Sequence, residues 1–454
     1  MTDLSKIYPC GQIARRRFLF QSAAGFLGSA ISSLWADDGK MMANAKLPGE
    51  PRAKSVIYLF MCGGVSHIDT FDPKDNKYAG KIMDAIGFGD NNAPMKRPVI
   101  PCLRTFERYG QSGIPVSDWF PNVGSVIDDF AVVRSMFCHQ TNHFPAVLEH
   151  ATGKPLRQLS IPRLAVGLHT LWARQQRSPA FVNIGRPSSP VQLTGGYIGA
   201  SYSATPFQPG DTPIPNLLPP AGGGPEERER QMKLLFDLNQ QFRADYTLES
   251  EIAARVKAYE LAANMMLKAP DIVNFDSEPQ HVKDLYGIGP KETDDFGRQL
   301  LLARRLVENG VRFVQLCHAG GGNGAWDSHD DMKSHAPLCR AVDKPISGLI
   351  RDLKQRGLLE NTLVVFTSEF GRTPWSQNTT GRDHNAMGFS TLLAGGGVKG
   401  GVVEGSTDEV GYRAVENPHY ISDLQATILQ QVGLNSKKMD FVLNGRPFHL
   451  IEEG

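Results

Sequence analysis

The sequence has no excess of charge of either sign and no dense pattern of cysteines. Its 48 basic and 47 acidic residues leave a formal charge of +1, which argues against a nucleic-acid or anionic-membrane partner. The six cysteines are widely spaced without a CxxC pair, so no zinc ribbon, thioredoxin-like site or dense disulfide framework is expected. The sequence shows no dinucleotide fingerprint or haem motif, and the GGGVKGG run at 395–401 lacks the ending of a P-loop. A redox function is therefore the least favoured class.

The N-terminal segment has the form of a twin-arginine export signal. The stretch ARRRFLF at 14–20 places consecutive arginines before Phe and Leu, and a weakly apolar run with glycines and serines follows it. Such a run is a poor permanent anchor, and we expect no transmembrane segment in the mature chain. Small-residue cleavage sites occur at Ala36 and at 43–45. Residues 1–45 are therefore predicted to be signal peptide and linker, and the mature protein to be periplasmic or secreted.

Six short apolar runs predict the strands of a mostly parallel sheet. They are apolar on both faces, as strands covered by helices on both sides should be. The runs occupy residues 55–61, 130–136, 180–185, 311–317, 362–368 and 390–396. Apolar residues at helical spacing predict helices before Gly310 and before Gly357, the second with Pro345 as a kink. Alternating helices and strands indicate an α/β fold with right-handed crossovers.

Residues 46–454 are predicted to form one large α/β domain with two irregular regions. The segment 187–226 is rich in Pro, Gly and Ser, which is typical of a long loop excursion over the surface. Residues 227–268 predict a helical subregion with a charged, solvated face. Near the C-terminus, DLQATILQQVGL predicts a further helix, and the residues after it predict a terminal strand or hairpin.

Residues that can bind a metal follow several of the predicted strands. In open α/β sheets, ligands bind beyond the carboxyl ends of the strands, so these residues should lie at one edge. The metal-ligand candidates are His67, Asp69, Asp327, His329, Glu369 and His384. Imidazole and carboxylate together suit zinc, iron or manganese, whereas calcium would require oxygen ligands alone. The sequence therefore predicts a divalent metal site.

Three further residues are candidates for a catalytic role. Arg372 could hold a substrate oxyanion through its planar guanidinium group. Pro145 is placed like the first residue of a helix, so His143 should lie at a helix N-terminus, where backbone N–H groups favour an anion. Thr141 could act as a hydroxyl nucleophile, although no base adjoins it in the sequence.

Other polar residues near these positions have structural explanations. Asp72 and Asp330 follow strands in the manner of helix caps or Asx-turns, and we favour that interpretation for both. His150 lies on an amphipathic stretch and is interpreted as structural. For His318, a site role and a buried, hydrogen-bonded role are equally consistent with the sequence.

Several motifs resemble those of a bacterial family of unknown function. The motifs are GGVSHIDTFDPK, AWDSHDD, TLVVFTSEFGRTP, GRDHNAMGFSTLLAGGGVKGG and the C-terminal DLQATILQQVGL with NGRPF. That family is exported by the twin-arginine route, is abundant in planctomycetes and is grouped with the alkaline phosphatase and sulfatase superfamily. The resemblance extends over residues 50–450. It implies an alkaline phosphatase/sulfatase-like fold, with a mostly parallel central sheet and helices on both faces.

The sequence also departs from the pattern of active sulfatases and phosphatases. In the resemblance to sulfatases, Pro145 and Thr152-Gly153 are retained, but His143 stands where the nucleophile is expected. Glu369-Phe370 occupies the place of an Asp-His metal-binding pair. Where these enzymes have a metal-binding Asp at the end of the first strand, this chain has Cys62-Gly63. A formylglycine mechanism is therefore not expected.

The leading hypothesis is an exported, metal-dependent hydrolase of phosphate or sulfate esters that uses a metal-activated water. Its substrate would be a small-molecule or polysaccharide ester. The alternative is a catalytically silent scaffold that binds a polysaccharide or a partner protein. The departures from the nucleophile and Asp-His positions favour this alternative, and a metal bound together with ester hydrolysis would favour the first.

Overall fold

A computed structural model of the protein describes most of the chain beyond residue 50. The described ranges are 51–86, 94–154, 181–189, 203–208, 274–376, 380–438, 440–443 and 446–449, with a few single positions between 193 and 272. The predicted signal peptide (1–45) lies outside the described residues. Most of the predicted loop excursion (187–226) and helical subregion (227–268) also lies outside them.

The strands of the described residues form one large sheet and several hairpins. In chain order they are β1 (Ser55–Met61), β2 (Ile82–Ile86), β3 (Pro94–Pro98), β4 (Phe106–Tyr109), β5 (Ile114–Ser117), β6 (Phe130–Phe137), β7 (Phe181–Ile184), β8 (Thr205–Phe207), β9 (Phe313–His318), β10 (Thr362–Thr367), β11 (Gly371–Arg372), β12 (His384–Asn385), β13 (Phe389–Ala394), β14 (Val402–Glu404), β15 (Ser406–Thr407), β16 (Ala414–Glu416), β17 (His419–Tyr420), β18 (Asp440–Leu443) and β19 (Arg446–His449). The antiparallel hairpins are β2–β3, β4–β5, β11–β12, β15–β16 and β18–β19.

The α-helices of the described residues alternate with these strands. They are α1 (Pro121–Gly124), α2 (His143–Thr152), α3 (Gln280–Leu285), α4 (Asp294–Glu308), α5 (His335–Gln355) and α6 (Ile421–Gln431). Short 3₁₀ turns cover Asn76–Tyr78, Ile127–Asp129, Met332–Ser334, Leu359–Asn361 and Ser436–Lys438. Among the helices that the structure describes, none combines the length and the apolar character needed to cross a membrane.

The central sheet has the strand order β14-β6-β13-β10-β1-β9-β7-β8, and β17 also pairs with β6. Among these strands β13 is antiparallel to both of its neighbours, β10 and β6, and the other pairings are parallel. The carboxyl ends of β1, β6, β9 and β10 therefore lie at one edge of the sheet, where β13 begins.

Alternating side chains of β1 divide the core into two layers. Ile57, Leu59 and Met61 face a cluster that includes side chains of α1, α4 and α5. Val56, Tyr58 and Phe60 face a second cluster, to which α2 and α6 contribute. Helices thus cover both faces of the sheet, which explains why its central strands are apolar on both sides. The predicted α/β class, with a mostly parallel sheet between helices, is confirmed.

The six predicted strands are present, with ends that differ by one or two residues. The helices predicted before Gly310, before Gly357 and near the C-terminus are α4, α5 and α6, and the predicted terminal hairpin is β18–β19. One boundary carries a correction. The helix around Pro145 begins at His143, so Pro145 is its third residue and not its first. A proline is tolerated there because the first-turn N–H groups have no acceptor within the helix. His143 consequently occupies the first helical position.

Candidate metal centre

Four side chains that can bind a metal converge at the carboxyl edge of the sheet. Their ligand atoms all lie within 4.8 Å of one another. His143 is the first residue of α2, Asp327 and His329 lie in the loop after β9, and His384 lies in β12. Residues as far apart in the chain as His143 and His384 meet because β6, β9 and β10 run in parallel and β13 returns beside them.

The loop after β9 packs directly onto the end of β1. Trp326 is fully buried; its backbone N–H donates to the Cys62 carbonyl (3.1 Å), and its indole N–H donates to His318 Nδ1 (3.0 Å). Gly324 has φ +89°, and a Cβ there would lie 2.2 Å from the Cys62 carbonyl oxygen. These contacts position Asp327 next to the strand ends.

The β11–β12 hairpin carries His384 opposite Arg372. Arg372 is fully buried and donates from Nη2 to Asp327 Oδ1 (2.8 Å). Its guanidinium also donates to the backbone carbonyls of Gly63, Gly64, Trp326 and Arg382. Arg372 therefore holds Asp327 in place and links the turn after β1, the loop after β9 and the β11–β12 hairpin.

Each of the three histidines is held in place through its Nδ1 atom. His143 Nδ1 lies 2.9 Å from Glu369 Oε1, and His329 Nδ1 lies 3.2 Å from Asp383 Oδ1. His384 Nδ1 lies 2.6 Å from the backbone carbonyl of Thr141. A carbonyl oxygen only accepts hydrogen bonds, so the Nδ1 of His384 carries a proton. Histidines that bind metals typically donate their second ring N–H to a carboxylate or carbonyl in this way.

The three Nε2 atoms are thereby turned towards Asp327. His384 Nε2 lies 2.9 Å from Asp327 Oδ1 and 2.9 Å from His329 Nε2. In a neutral His384 with its proton on Nδ1, the Nε2 atom has only a lone pair to offer. Because it faces the Asp327 carboxylate, a positively charged group is needed between the two. His143 Nε2 is buried and lies 3.2 Å from Asp327 Oδ2 without the alignment of a hydrogen bond. Three imidazole nitrogens and a carboxylate fit a divalent transition metal.

The charged groups of the cluster shift one another's pKa values. Burial opposes ionisation of Asp327, but the close imidazoles of His143, His329 and His384 and the Arg372 guanidinium hold its pKa far below the usual range. Hydrogen bonds to Asp327 and Asp383 raise the pKa of His329 to about 9. Burial lowers the pKa of His384 to about 3.

His143 responds differently from His384, although both are buried. Burial lowers its pKa, but the nearby carboxylates of Asp327 and Glu369 outweigh that effect and raise the pKa above its usual value. A proton on His329 or His143 thus supplies positive charge that a bound metal would replace.

Among the predicted ligands, Asp327, His329 and His384 lie together in this cluster. Glu369 lies outside the cluster and contacts its member His143. Its side chain is fully buried, and Oε1 accepts from the Gly63 backbone N–H (2.8 Å) and faces His143 Nδ1. His143, which the sequence analysis proposed for catalysis, also lies in this cluster. Metal binding by each of these residues remains a prediction.

Asp69 and His67 do not join the cluster, contrary to the sequence-based expectation. Asp69 is fully buried and ion-paired with Arg382 (2.7 Å); it also accepts from Ser66 Oγ and the Leu103 N–H. His67 Nε2 lies 2.8 Å from the Gly411 carbonyl. The turn after β1 uses both side chains to anchor neighbouring loops, so neither reaches the metal centre.

The other two catalytic candidates, Arg372 and Thr141, both contact residues of the cluster. All three guanidinium nitrogens of Arg372 bind groups of the protein, so no edge remains for a substrate oxyanion. The residue Thr141 is exposed, and its backbone carbonyl orients His384. The sequence analysis did not select Asp383, which orients His329; its position directly before His384 was the available signal.

Comparison with solved structures finds proteins of the alkaline phosphatase and sulfatase superfamily. The PsFucS1 sulfatase from Pseudoalteromonas sp. is 13% identical, with 90% of this chain and 72% of that chain covered and a TM-score of 0.36. The lipoteichoic acid synthase LtaP from Listeria monocytogenes is 10% identical, with 88% and 78% covered and a TM-score of 0.34. The alkaline phosphatase from the Antarctic bacterium TAB5 is 12% identical, with 85% and 100% covered and a TM-score of 0.34.

At these identities and TM-scores, the likeness carries no conclusion about activity. Comparison with curated proteins finds no match. A family model described as a protein of unknown function, DUF1501, matches residues 53–454. The chain therefore belongs to the DUF1501 family.

Proposed function

We propose that this protein is a metal-dependent hydrolase of phosphate or sulfate esters. The observation that carries the proposal is the convergence of three Nδ1-anchored histidines on Asp327 at the carboxyl edge of the sheet. A bound zinc, iron or manganese ion would supply Lewis-acid polarisation of an ester oxygen and activation of the attacking water. The motif resemblance to the alkaline phosphatase and sulfatase superfamily selects esters of phosphate or sulfate as the substrate class.

His143, Asp327, His329 and His384 would hold the metal, and solvent reaches it from one side. The His329 side chain is 26% exposed and that of Asp327 is 14% exposed, whereas those of His143 and His384 are nearly buried. A substrate therefore approaches along the side of His329. The buried side is closed by Arg372 and Glu369, which keep the ligands in place.

The beginning of α2 supplies the groups that orient the ester. Its N-cap residue Asn142 makes no side-chain cap hydrogen bond, so the first backbone N–H groups of the helix remain available to an anion. Thr141 and Asn142 are exposed, and the Phe144 side chain is 46% exposed next to His143. An ester oxyanion would bind between these N–H groups and the metal, with its organic part towards Phe144.

A catalytically silent binding scaffold is the second candidate. The observation that favours it concerns the nucleophile. Ser328 Oγ lies 2.7 Å from His335 Nδ1, but His335 Nε2 accepts from the Ser66 backbone N–H (3.3 Å), so Nδ1 carries the proton and cannot act as a base towards the serine. The ring nitrogens of His143, His329 and His384 are all directed at carboxylates, at a carbonyl or at one another. A polysaccharide or partner protein would then bind at the same edge without turnover.

Metal content of the full-length protein tests the hydrolase candidate. We expect close to one zinc, iron or manganese ion per chain by plasma mass spectrometry, and loss of that ion in Asp327→Asn and His329→Ala variants. Asp276→Asn and His281→Ala are matched controls, because both residues are exposed and lie away from the cluster. A folded wild-type protein that takes up no metal would refute the proposed function.

Turnover then separates the hydrolase from the silent scaffold. We expect the metal-loaded protein to hydrolyse nitrophenyl phosphate or sulfate, and the chelated protein and His329→Ala to lose this activity. A fully metal-loaded protein that cleaves no phosphate or sulfate ester would favour the scaffold.

Export by the twin-arginine route to the periplasm or the medium is part of the same proposal. It is supported by the ARRRFLF stretch at 14–20. Because this route carries folded proteins, the metal could be loaded before export. Replacing Arg15, Arg16 and Arg17 by lysines should retain the protein in the cytoplasm, which fractionation and immunoblotting would show.

A further inference from the structure

Arg134 is a cation whose hydrogen-bonding edge has no partner among the described residues. It lies in β6, and its Nε and Nη2 atoms are buried without a hydrogen bond. Its side chain as a whole is 14% exposed. The Nε–H and one Nη2–H point the same way and form the edge with which arginine binds two oxygens at once. A buried polar group without a partner requires an explanation, and an ion or water is the usual one.

The neighbouring carboxylate of Asp72 does not satisfy this edge. Asp72 Oδ1 lies 3.8 Å from Arg134 Nε, which is beyond hydrogen-bond distance. That oxygen lies 3.0 Å from Lys74 Nζ, and Oδ2 accepts from the Thr407 hydroxyl at 2.5 Å. The predicted cap or Asx-turn role of Asp72 is thus replaced by these side-chain contacts.

The charges of Asp72, Lys74 and Arg134 do not sum to zero. Lys74 and Arg134 contribute two positive charges and Asp72 contributes one negative charge, so one positive charge is left over in a largely buried place. Burial lowers the pKa of Arg134, and Asp72 only partly opposes this effect. An uncompensated buried charge is costly, and a bound anion removes the cost.

A β-bulge directs a further polar group to the same face of the sheet. Phe389 pairs with Met136 and Thr391 with Val133, so Ser390 alone opposes both Arg134 and Ser135. Phe389 packs in the hydrophobic core on the side of the sheet that α2 and α6 cover. Side chains alternate along a strand, so Ser390 points to the opposite side of the sheet, as Arg134 does. Ser390 Oγ is buried and has no hydrogen-bond partner in the described residues. Bulges often redirect side chains at binding sites.

We propose that Arg134, Lys74 and Ser390 form a binding site for a small oxyanion, separate from the metal centre. The anion presents two coplanar oxygens to the Nε–Nη2 edge of Arg134, as phosphate, sulfate and carboxylate groups can. Lys74 Nζ contacts Asp72 and the Thr407 carbonyl, which leaves it one further N–H for the same anion. The side chains of Lys74 and Arg134 are 13% and 14% exposed, which provides the access from solvent. The site shares no residue with the four metal-ligand candidates.

Isothermal titration of the chelator-treated, full-length protein tests this site. Inorganic phosphate, sulfate and acetate are titrated separately, which distinguishes tetrahedral from planar oxyanions. We expect one anion per chain to bind with a Kd below about 10 mM. Arg134→Gln should abolish this binding, and Arg134→Lys should weaken it about tenfold, because an ammonium group keeps the charge but not the two-pronged edge. Ser390→Ala should weaken it less.

Two controls keep the proposal open to refutation. Arg413→Gln removes an exposed arginine of the neighbouring loop and should leave binding unchanged. His329→Ala removes a metal ligand and should also leave it unchanged, which separates this site from the metal centre. If Arg134→Gln does not fold, the comparison rests on Arg134→Lys, with circular dichroism as the check. Absence of binding by the wild-type protein, or equal binding by the wild-type protein and Arg134→Lys, would overturn the proposal.

Discussion

At the scale of single residues, Glu369 links the metal centre to the backbone of the first strand turn. Its Oε1 atom faces His143 Nδ1 and accepts from the Gly63 N–H. A glutamine keeps the size of this side chain but removes the charge that polarises the imidazole. We expect Glu369→Gln to weaken zinc binding by about 10- to 100-fold, the usual effect of losing such an outer partner. Competition with a chelating dye would measure the loss.

The matched control for this change is Glu360→Gln, which alters an exposed glutamate outside the site. It should bind zinc as the wild-type protein does. Unchanged affinity in Glu369→Gln would mean that His143 is oriented by helix α2 alone, and that Glu369 has only a packing role.

The protonation of His329 makes metal binding dependent on pH. Its pKa of about 9 means that it is protonated at neutral pH in the metal-free protein. A metal requires the neutral imidazole, so the proton must leave, and affinity should rise about tenfold per pH unit up to about pH 9. Calorimetry at pH 7 in buffers of different ionisation enthalpy should show proton release on zinc binding. Zinc binding that is independent of pH between 6 and 8 would contradict this prediction.

At the scale of elements, the loop after β9 contains a glycine at which any other residue would introduce backbone strain and a clash. Gly324 combines φ +89° with a Cβ position 2.2 Å from the Cys62 carbonyl oxygen. We expect Gly324→Ala to cost at least about 1–3 kcal/mol from the backbone conformation alone, with the clash in addition. Because Asp327 and His329 follow directly, the variant should also bind less metal. Denaturant unfolding and metal analysis would show both effects.

Gly310→Ala separates backbone strain from crowding. Gly310 has a similar φ of +86°, but nothing lies within 4 Å of a Cβ placed there. The Gly310→Ala variant should therefore lose stability only through the strained backbone conformation, and it should bind metal as the wild-type protein does. Equal metal content in the two variants would show that the packing of the loop against Cys62 does not position Asp327.

The elements themselves were largely predictable from local pattern, since apolar runs and helical spacing report burial directly. The bulge in β6 was not, because Arg134 and Ser135 lie within an apolar run and only pairing with β13 produces the mismatch in register. The start of α2 differs from its predicted position for a similar reason. Pro145 is compatible with any of the first helical positions, and the contacts of His143 decide among them.

At the scale of the whole molecule, a bound metal would join segments that are far apart in the chain. His143, the 327–329 loop and His384 belong to three separate parts of the fold. A ligand that binds only the folded state stabilises it by about 4 kcal/mol at a thousand times its Kd. Excess zinc should therefore raise the midpoint of thermal unfolding in scanning calorimetry. His329→Ala should show little of this rise, and an equal rise in both proteins would point to zinc binding elsewhere.

The sequence by itself determined the α/β class, the parallel strands and the edge at which polar residues gather, because these depend on local hydrophobic pattern and on strand direction. It also supplied three of the four converging residues, Asp327, His329 and His384, as metal-ligand candidates, and the fourth, His143, as a catalytic candidate. Only the tertiary structure decided that His143 lies beside them, that Asp69 forms an ion pair with Arg382, and that Arg372 donates a hydrogen bond to Asp327. Those outcomes depend on distances between segments hundreds of residues apart, about which local sequence pattern carries no information.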